Sequence, residues 1–202
     1  MGTPYSLTKT GLYVISGDTK RKIIDLSKNG QGLSRLFSMA RIRENEDEQL
    51  LELSESVGHA VYPSQESWQR NAFFLGVSIP YQAFHFESEA RGEILDKISP
   101  ETCQKVFEAV RTGSYEPGLA TQQWQLGVRS LGFFSISVWF RIRRDRNHAI
   151  LDIVDFVLDE YFHESPDYPE RKAILRGTAL SYEAFRIERK KDKLHSLASP
   201  VY

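Results

Sequence analysis

The chain has a single cysteine, Cys103, in 202 residues. One thiol excludes an internal disulfide and any cysteine-cluster zinc site, and it fits a reducing compartment. There is no excess of charge of either sign: 26 Lys and Arg stand against 27 Asp and Glu, for a net charge of −1. A near-neutral chain has no general attraction to nucleic acid or anionic lipid, so such binding has to come from a local patch. No apolar run approaches the roughly 18 residues that span a bilayer, and no signal-peptide core opens the sequence. The start, Met1-Gly2-Thr3-Pro4-Tyr5-Ser6, matches the short N-myristoylation pattern, which one loose match does not establish. Metal-ligand spacings such as H-E-x-x-H are missing among His59, His85, His148, His163 and His195. So are the nucleophile elbow, the phosphate-binding loop and the dinucleotide fingerprint. No cofactor is expected, and no catalytic set stands out.

What the sequence does have is aromatic residues, 12% of the chain, and enough length to bury a core. The most regular stretch is Gly132–Phe162. From Phe134, apolar Phe134, Ile136, Val138, Phe140 and Ile142 alternate with Ser135, Ser137, Trp139, Arg141 and Arg143, which predicts a half-buried strand. Ile150, Ile153, Val154, Val157, Leu158 and Tyr161 then repeat at helical period, which predicts a helix roofing that strand. Asp152, Asp155 and Asp159 fall on its other side. Earlier, Leu12–Ser16 and Ile23–Leu26 read as a hairpin with Gly17–Lys22 at its tip. Leu33–Ile42 is ambiguous, and the acidic run Glu44–Glu55, with Leu50, Leu51 and Leu53 inside it, reads as a solvated helix face. Ala72–Ile79 and Tyr81–Phe86 read as buried strands either side of Pro80, Glu89–Ile98 as helix, and Gln122–Val128 as a short strand. Ser99-Pro100-Glu101 is a helix start, with Ser as N-cap and Pro in the first position. Ser165–Pro169 is a rigid connector, Glu170–Leu194 a last helix with a break near Gly177, and residues from about 196 a frayed tail. The expected fold is therefore one α+β domain over residues 1–202, a small, mainly antiparallel sheet covered by helices. A faint internal echo relates Phe73-Phe74 to Phe133-Phe134, each followed by comparable elements.

Three basic patches are the candidate contacts: Lys20, Arg21 and Lys22; Arg141, Arg143, Arg144 and Arg146; and Arg189, Lys190 and Lys191, where Arg186 and Lys193 extend the run. Each suits phosphate on RNA or on lipid heads. Trp139 shares the predicted strand face with Arg141 and Arg143, where an exposed ring can stack on a base. Carboxylates at Asp152–Asp159, or at Asp167 and Glu170, are the alternative, an acid–base or metal-dependent site.

The C-terminal half resembles the matrix proteins of rhabdoviruses of the vesicular stomatitis type. The residues that carry the resemblance are Trp124-Gln125-Leu126-Gly127, the alternating Phe134–Ile142, Leu158-Asp159-Glu160-Tyr161, Asp167-Tyr168-Pro169-Glu170-Arg171-Lys172-Ala173 and Gly177. The basic, proline-rich tail of that family is absent here. The resemblance implies a non-enzymatic, cytoplasmic, peripherally membrane-bound protein. Such a protein self-associates and touches nucleocapsid and anionic membrane through basic patches. An RNA-binding regulatory module through Trp139 and Arg141–Arg146 is the alternative binding role.

Overall fold

The computed structural model describes residues 13–28, 42–63, 68–112, 128–161 and 169–198. Seven helices have bounds among them: α1 (Gly17–Lys28), α2 (Glu48–Val61), α3 (Trp68–Ala90), α4 (Pro100–Thr112), α5 (Val128–Arg144), α6 (His148–Tyr161) and α7 (Pro169–Ala198); residues 42–44 are helical as well. There is no strand among the described residues, so the expected α+β fold with an antiparallel sheet is corrected to an all-helical one. The Gln122–Val128, Leu33–Ile42 and Ser165–Pro169 segments lie largely outside those residues.

The expected strand at Phe134–Ile142 is the middle of α5. Period two placed five apolar residues on one face; the helix divides them. Phe134, Val138 and Ile142, four apart, are buried, while Ile136 and Phe140 point outward and are exposed. An alternating sequence is compatible with a helix whose inner and outer stripes are both apolar. The expected strands Ala72–Ile79 and Tyr81–Phe86 form one continuous helix, α3. It is apolar on nearly every side because it is the central helix, and all-round burial removes the stripe by which a helix is recognised. Pro80 sits inside it without ending it. Proline leaves the carbonyl four residues back without its helical donor. That carbonyl, Gly76 O, accepts instead from the Thr178 hydroxyl of α7 at 3.2 Å.

The expected hairpin tip is the start of α1, and the expected helix Glu89–Ile98 ends early, at Ala90. Gly92 adopts φ +69°, and the Glu93 N–H closes on Ser88 O at 3.0 Å, a left-handed C-terminal cap open to glycine at little strain. The helices expected from Ser99-Pro100, in the acidic run, over Ile150–Tyr161 and from Glu170 are present as α4, α2, α6 and α7. No break occurs at Gly177.

The chain is an internal duplication. Ile15-Ser16-Gly17-Asp18-Thr19 corresponds to Ile98-Ser99-Pro100-Glu101-Thr102, and Arg41-Ile42-Arg43 to Arg141-Ile142-Arg143. Gly76, Tyr81, Ala83, Phe84 and Glu87 of α3 correspond to Gly177, Tyr182, Ala184, Phe185 and Glu188 of α7, about one hundred positions on. The echo between Phe73 and Phe133 was thus out of register: Phe73 corresponds to Ile174.

The local geometry repeats with the residues. Glu46 and Arg146 are the described non-glycine residues with positive φ, at 55° and 62°. Each closes a turn in which the next N–H returns to Ile42 O or Ile142 O, at 3.1 and 3.0 Å. Ser16 caps α1, accepting the Thr19 N–H at 3.2 Å, and donates its own N–H and hydroxyl to Glu87 at 3.0 and 2.9 Å. Ser99 caps α4 in the same way, with the Thr102 N–H at 3.3 Å and Glu188 at 2.9 Å from both Ser99 donors.

The two halves exchange equivalent contacts, as a two-fold relation requires. Where α3 crosses α7, a Cβ built on Gly76 would lie 2.1 Å from Ile174 O, and one on Gly177 would lie 1.9 Å from Phe73 O. The rings alongside are reciprocal too: Tyr81 to Phe185 at 5.8 Å and Phe84 to Tyr182 at 5.7 Å. The caps cross between halves. Asn147 Oδ1 accepts the Ile15 N–H at 2.9 Å, and Asp47 Oδ1 accepts the Ile98 N–H at 3.2 Å. Each half thereby completes the first turn of the other, and the buried side chains form one cluster.

Candidate docking surface

Helix α5 has two apolar stripes. The inner one, Leu131, Phe134, Val138 and Ile142, belongs to the core. The outer one is Phe133, Ile136 and Phe140, at spacings of three and four, with 53%, 56% and 66% of each residue exposed. One turn further on, Arg143, Arg144 and Arg146 are all exposed. Asp145, the acid between them, is turned inward and 4% exposed, where it accepts the Tyr182 hydroxyl at 2.9 Å. Burial pushes its carboxyl up, against the Tyr182 hydrogen bond. The Arg144 guanidinium reaches it only at 3.8 Å. Among the described residues neither Arg143 nor Arg146 has an ion-pair partner within 4.0 Å. The end of α5 therefore presents exposed positive charge beside exposed apolar area.

The other expected contacts are dispersed and matched by acids. Lys20 pairs with Asp152 at 2.6 Å, Arg21 with Asp18, and Lys22 lies 3.8 Å over the Phe86 ring with Glu89 4.0 Å away. Arg189 is held by Asp96 at 2.6 Å and by the Tyr13 ring, and Lys191 by Glu101 at 3.1 Å and Ser99 at 2.9 Å. Lys190 is exposed. Arg141 turns inward, 14% exposed, toward Glu183 at 3.3 Å, and burial, then Arg144, pulls its pKa down to about 10. Trp139 packs against the core with its indole N–H buried and without a hydrogen-bond partner among the described residues. Its ring is not laid open beside the arginines. Only Arg143, Arg144 and Arg146 are brought together on one surface. The apolar half of that surface, Phe133, Ile136 and Phe140, escaped the sequence reading; testing 133–140 at period 3.6 as well as period two finds it.

The carboxylate alternatives are placed as follows. Asp152, Asp155 and Asp159 line the outside of α6; burial, then Asp159 and Asp152, raises the Asp155 pKa. No group of three or more His, Cys, Asp or Glu is arranged to hold a metal among the described residues. Glu170 stands in the first turn of α7, where a negative charge complements the helix dipole; Asp167 lies outside the described residues. The Cys103 thiol donates to Gln49 O at 3.2 Å, and burial pushes its pKa to about 12, so little nucleophilic thiolate forms at neutral pH.

The crossed caps are chemically unequal. Asn147 is neutral; its equivalent Asp47 is a carboxylate only 3% exposed, whose pKa burial pushes up to about 6, against the Ile98 N–H bond. An acid held above its unfolded value of 3.8 binds its proton more tightly in the folded state. The fold is therefore penalised wherever the group is ionised, fully above pH about 6, and is relieved as the pH falls toward 3.8. Asp47→Asn, which copies the other half, is expected to raise stability at pH 7 by about 2 kcal/mol. It should also remove that part of the rise seen on acidification, read by urea unfolding at pH 7 and pH 4.5.

No family model, curated protein or solved structure matches the chain. The alternating strand on which the resemblance to rhabdovirus matrix proteins partly rested is the helix α5.

Proposed function

We propose that this is a non-catalytic docking protein that settles peripherally on an anionic lipid surface through the outer face of α5. The observation that carries the reading is the exposed stripe Phe133, Ile136 and Phe140 running into exposed Arg143, Arg144 and Arg146. Apolar side chains beside a basic cluster are the composition of interfacial helices, in which rings enter the acyl boundary and cations meet phosphates. Magnitude separates this from a stable homodimer. Three side chains at these exposures offer about 300 Å², against the roughly 800 Å² per partner of a stable interface. Each arginine near an anionic surface adds about 1 kcal/mol. No helix among the described residues is long and apolar enough to cross a membrane, so the contact is one of surface lying. Single-stranded nucleic acid is less well served, because Trp139 is packed inward and the α1 cations are matched by acids.

Flotation with phosphatidylcholine vesicles, with and without phosphatidylserine, tests this. Binding is expected only with the anionic lipid, weakening as salt rises. Ile136→Asp with Phe140→Asp should reduce it at least about tenfold, and Arg143→Glu with Arg144→Glu should reduce both binding and its salt dependence. Failure of the unmodified protein to float overturns the reading. So does a reversible dimer in sedimentation velocity that the Asp substitutions abolish, or RNA binding that competes with vesicles.

A further inference from the structure

Three helical segments among the described residues end on the same backbone turn, and they differ in the residue that takes its left-handed position. At the end of α3 that residue is Gly92, at φ 69°; its N–H donates to Glu89 O at 3.0 Å and the next N–H to Ser88 O at 3.0 Å. After residues 42–44 it is Glu46, at φ 55°, with the matching bonds to Arg43 O at 2.9 Å and to Ile42 O at 3.1 Å. At the end of α5 it is Arg146, at φ 62°, with bonds to Arg143 O and Ile142 O, both at 3.0 Å. Glycine, and after it asparagine, hold this position with least strain. Any other residue brings its β-carbon too close to a carbonyl oxygen, so a long charged side chain there is retained for what it contacts.

Glu46 has its contact inside the molecule, Lys97 at 2.9 Å. Arg146 is exposed and has no ion-pair partner within 4.0 Å among the described residues. The duplication makes the first of these two turns an internal control for the second. It reads Arg43-Glu44-Asn45-Glu46 where the second reads Arg143-Arg144-Asp145-Arg146, on the same backbone. Acids serve the turn as well as arginines do, so the fold does not require the arginines. Arg43 meets Glu55 at 3.7 Å, whereas Asp155, the equivalent of Glu55, does not come within 4.0 Å of Arg143. Asp145 is turned inward to the Tyr182 hydroxyl at 2.9 Å, and Arg144 reaches it only at 3.8 Å. Three exposed guanidinium groups thus share one turn that would form without them.

We propose, resting on the lipid-docking reading above, that this arginine turn is a headgroup site selective for phosphomonoester lipids, with Arg143, Arg144 and Arg146 as its donors. All three cations are arginine, whose guanidinium fork pairs with phosphate through two parallel N–H groups; a lysine ammonium acts only as a point charge. A phosphomonoester offers three acceptor oxygens and a charge of about −1.5 to −2 near neutral pH. Phosphatidylserine offers a diester, and the ammonium beside its carboxylate opposes the arginines. The neighbouring stripe Phe133, Ile136 and Phe140 brings the turn to headgroup depth.

Flotation of the full chain compares phosphatidylcholine vesicles carrying phosphatidic acid with vesicles carrying phosphatidylserine, the two sets matched in zeta potential. Binding to phosphatidic acid is expected to be at least about fivefold tighter. Arg146→Asn suits the left-handed position, so its urea midpoint should stay level or rise while its affinity for phosphatidic acid falls about fivefold. Arg143→Lys, Arg144→Lys and Arg146→Lys together keep the charge and should bring the ratio between the two lipids close to one. Glu46→Asn, in the control turn, should leave that ratio as it is. Equal binding at matched charge overturns the inference and leaves the docking reading standing. So does a triple lysine variant that keeps the preference, or an Arg146→Asn variant that binds as the parent does. Failure to float with either vesicle overturns both.

Discussion

Gly177→Ala is expected to lower stability by about 4 kcal/mol or more, a loss seen only where backbone or core is directly violated. The new methyl carbon would stand 1.9 Å from Phe73 O and 2.8 Å from Val77 N, and both are backbone atoms of a buried helix. Neither can swing aside as a side chain would, so α3 and α7 must separate along their crossing. Separation also withdraws Thr178 from Gly76 O, the carbonyl that Pro80 leaves without its helical donor. Gly76→Ala should be equally damaging, because its Cβ would meet Ile174 O at 2.1 Å in the reciprocal contact. Gly132→Ala is the control. Its Cβ would meet only the end of the Arg176 side chain at 3.4 Å, so the usual preference of helices for alanine should leave stability unchanged or slightly raised. Urea unfolding of the three variants checks this. A small effect at Gly177 would mean that the two central helices do not meet as described.

Glu183→Gln should cost about 3–5 kcal/mol, the range for breaking a buried ion pair from one side. Glu183 is fully buried and accepts a forked pair of bonds from Arg186, at 2.9 Å from Nε and 2.6 Å from the terminal nitrogen. Arg141 of α5 approaches the same carboxylate at 3.3 Å. Burial drives the Glu183 carboxyl well up, against the attraction of Lys190, and pulls Arg186 down to about 10. Removing the acid leaves two guanidinium groups facing each other in the interior. The duplication suggests the repair, because the equivalent positions of α3 are Gln82 and His85, both uncharged or weakly basic. Glu183→Gln combined with Arg186→His should therefore recover a large part of the loss, and a double-mutant cycle measures the coupling. If the double variant is as unstable as the sum of the two single ones, the pair does not act as a unit.

Part of this structure was legible from residue order, and the readable part has a common cause. Helices α2, α4 and α6 each have a one-sided apolar stripe, and α7 has an acid, Glu170, in its first turn; neither signal depends on what lies opposite. The Ser-x-[Asp/Glu]-Thr start was recognised at Ser99, where proline follows, and missed at Ser16, where glycine follows and suggests a hairpin. The cap geometry is the same at both. Laying the two segments side by side would have exposed the duplication, which the Phe73 and Phe133 comparison obscured by matching similar residues in the wrong register.

Residue order thus settled the one-sided helices, the missing disulfide framework and the repeated cap signature, all of them matters of local spacing and composition. Packing settled the rest. Helix α3 lost its visible stripe because neighbours surround it, and its burial against α7 accommodates Gly76 and Pro80 within one continuous helix. Helix α5 is helical because Phe134, Val138 and Ile142 reach the core together at spacing four, while Ile136 and Phe140 are left outside. Which arginines are matched and which stay open was decided in the same way. Glu183, Asp152 and Asp96 are distant in the chain from Arg141, Lys20 and Arg189, and only the folded arrangement sets each acid beside its base.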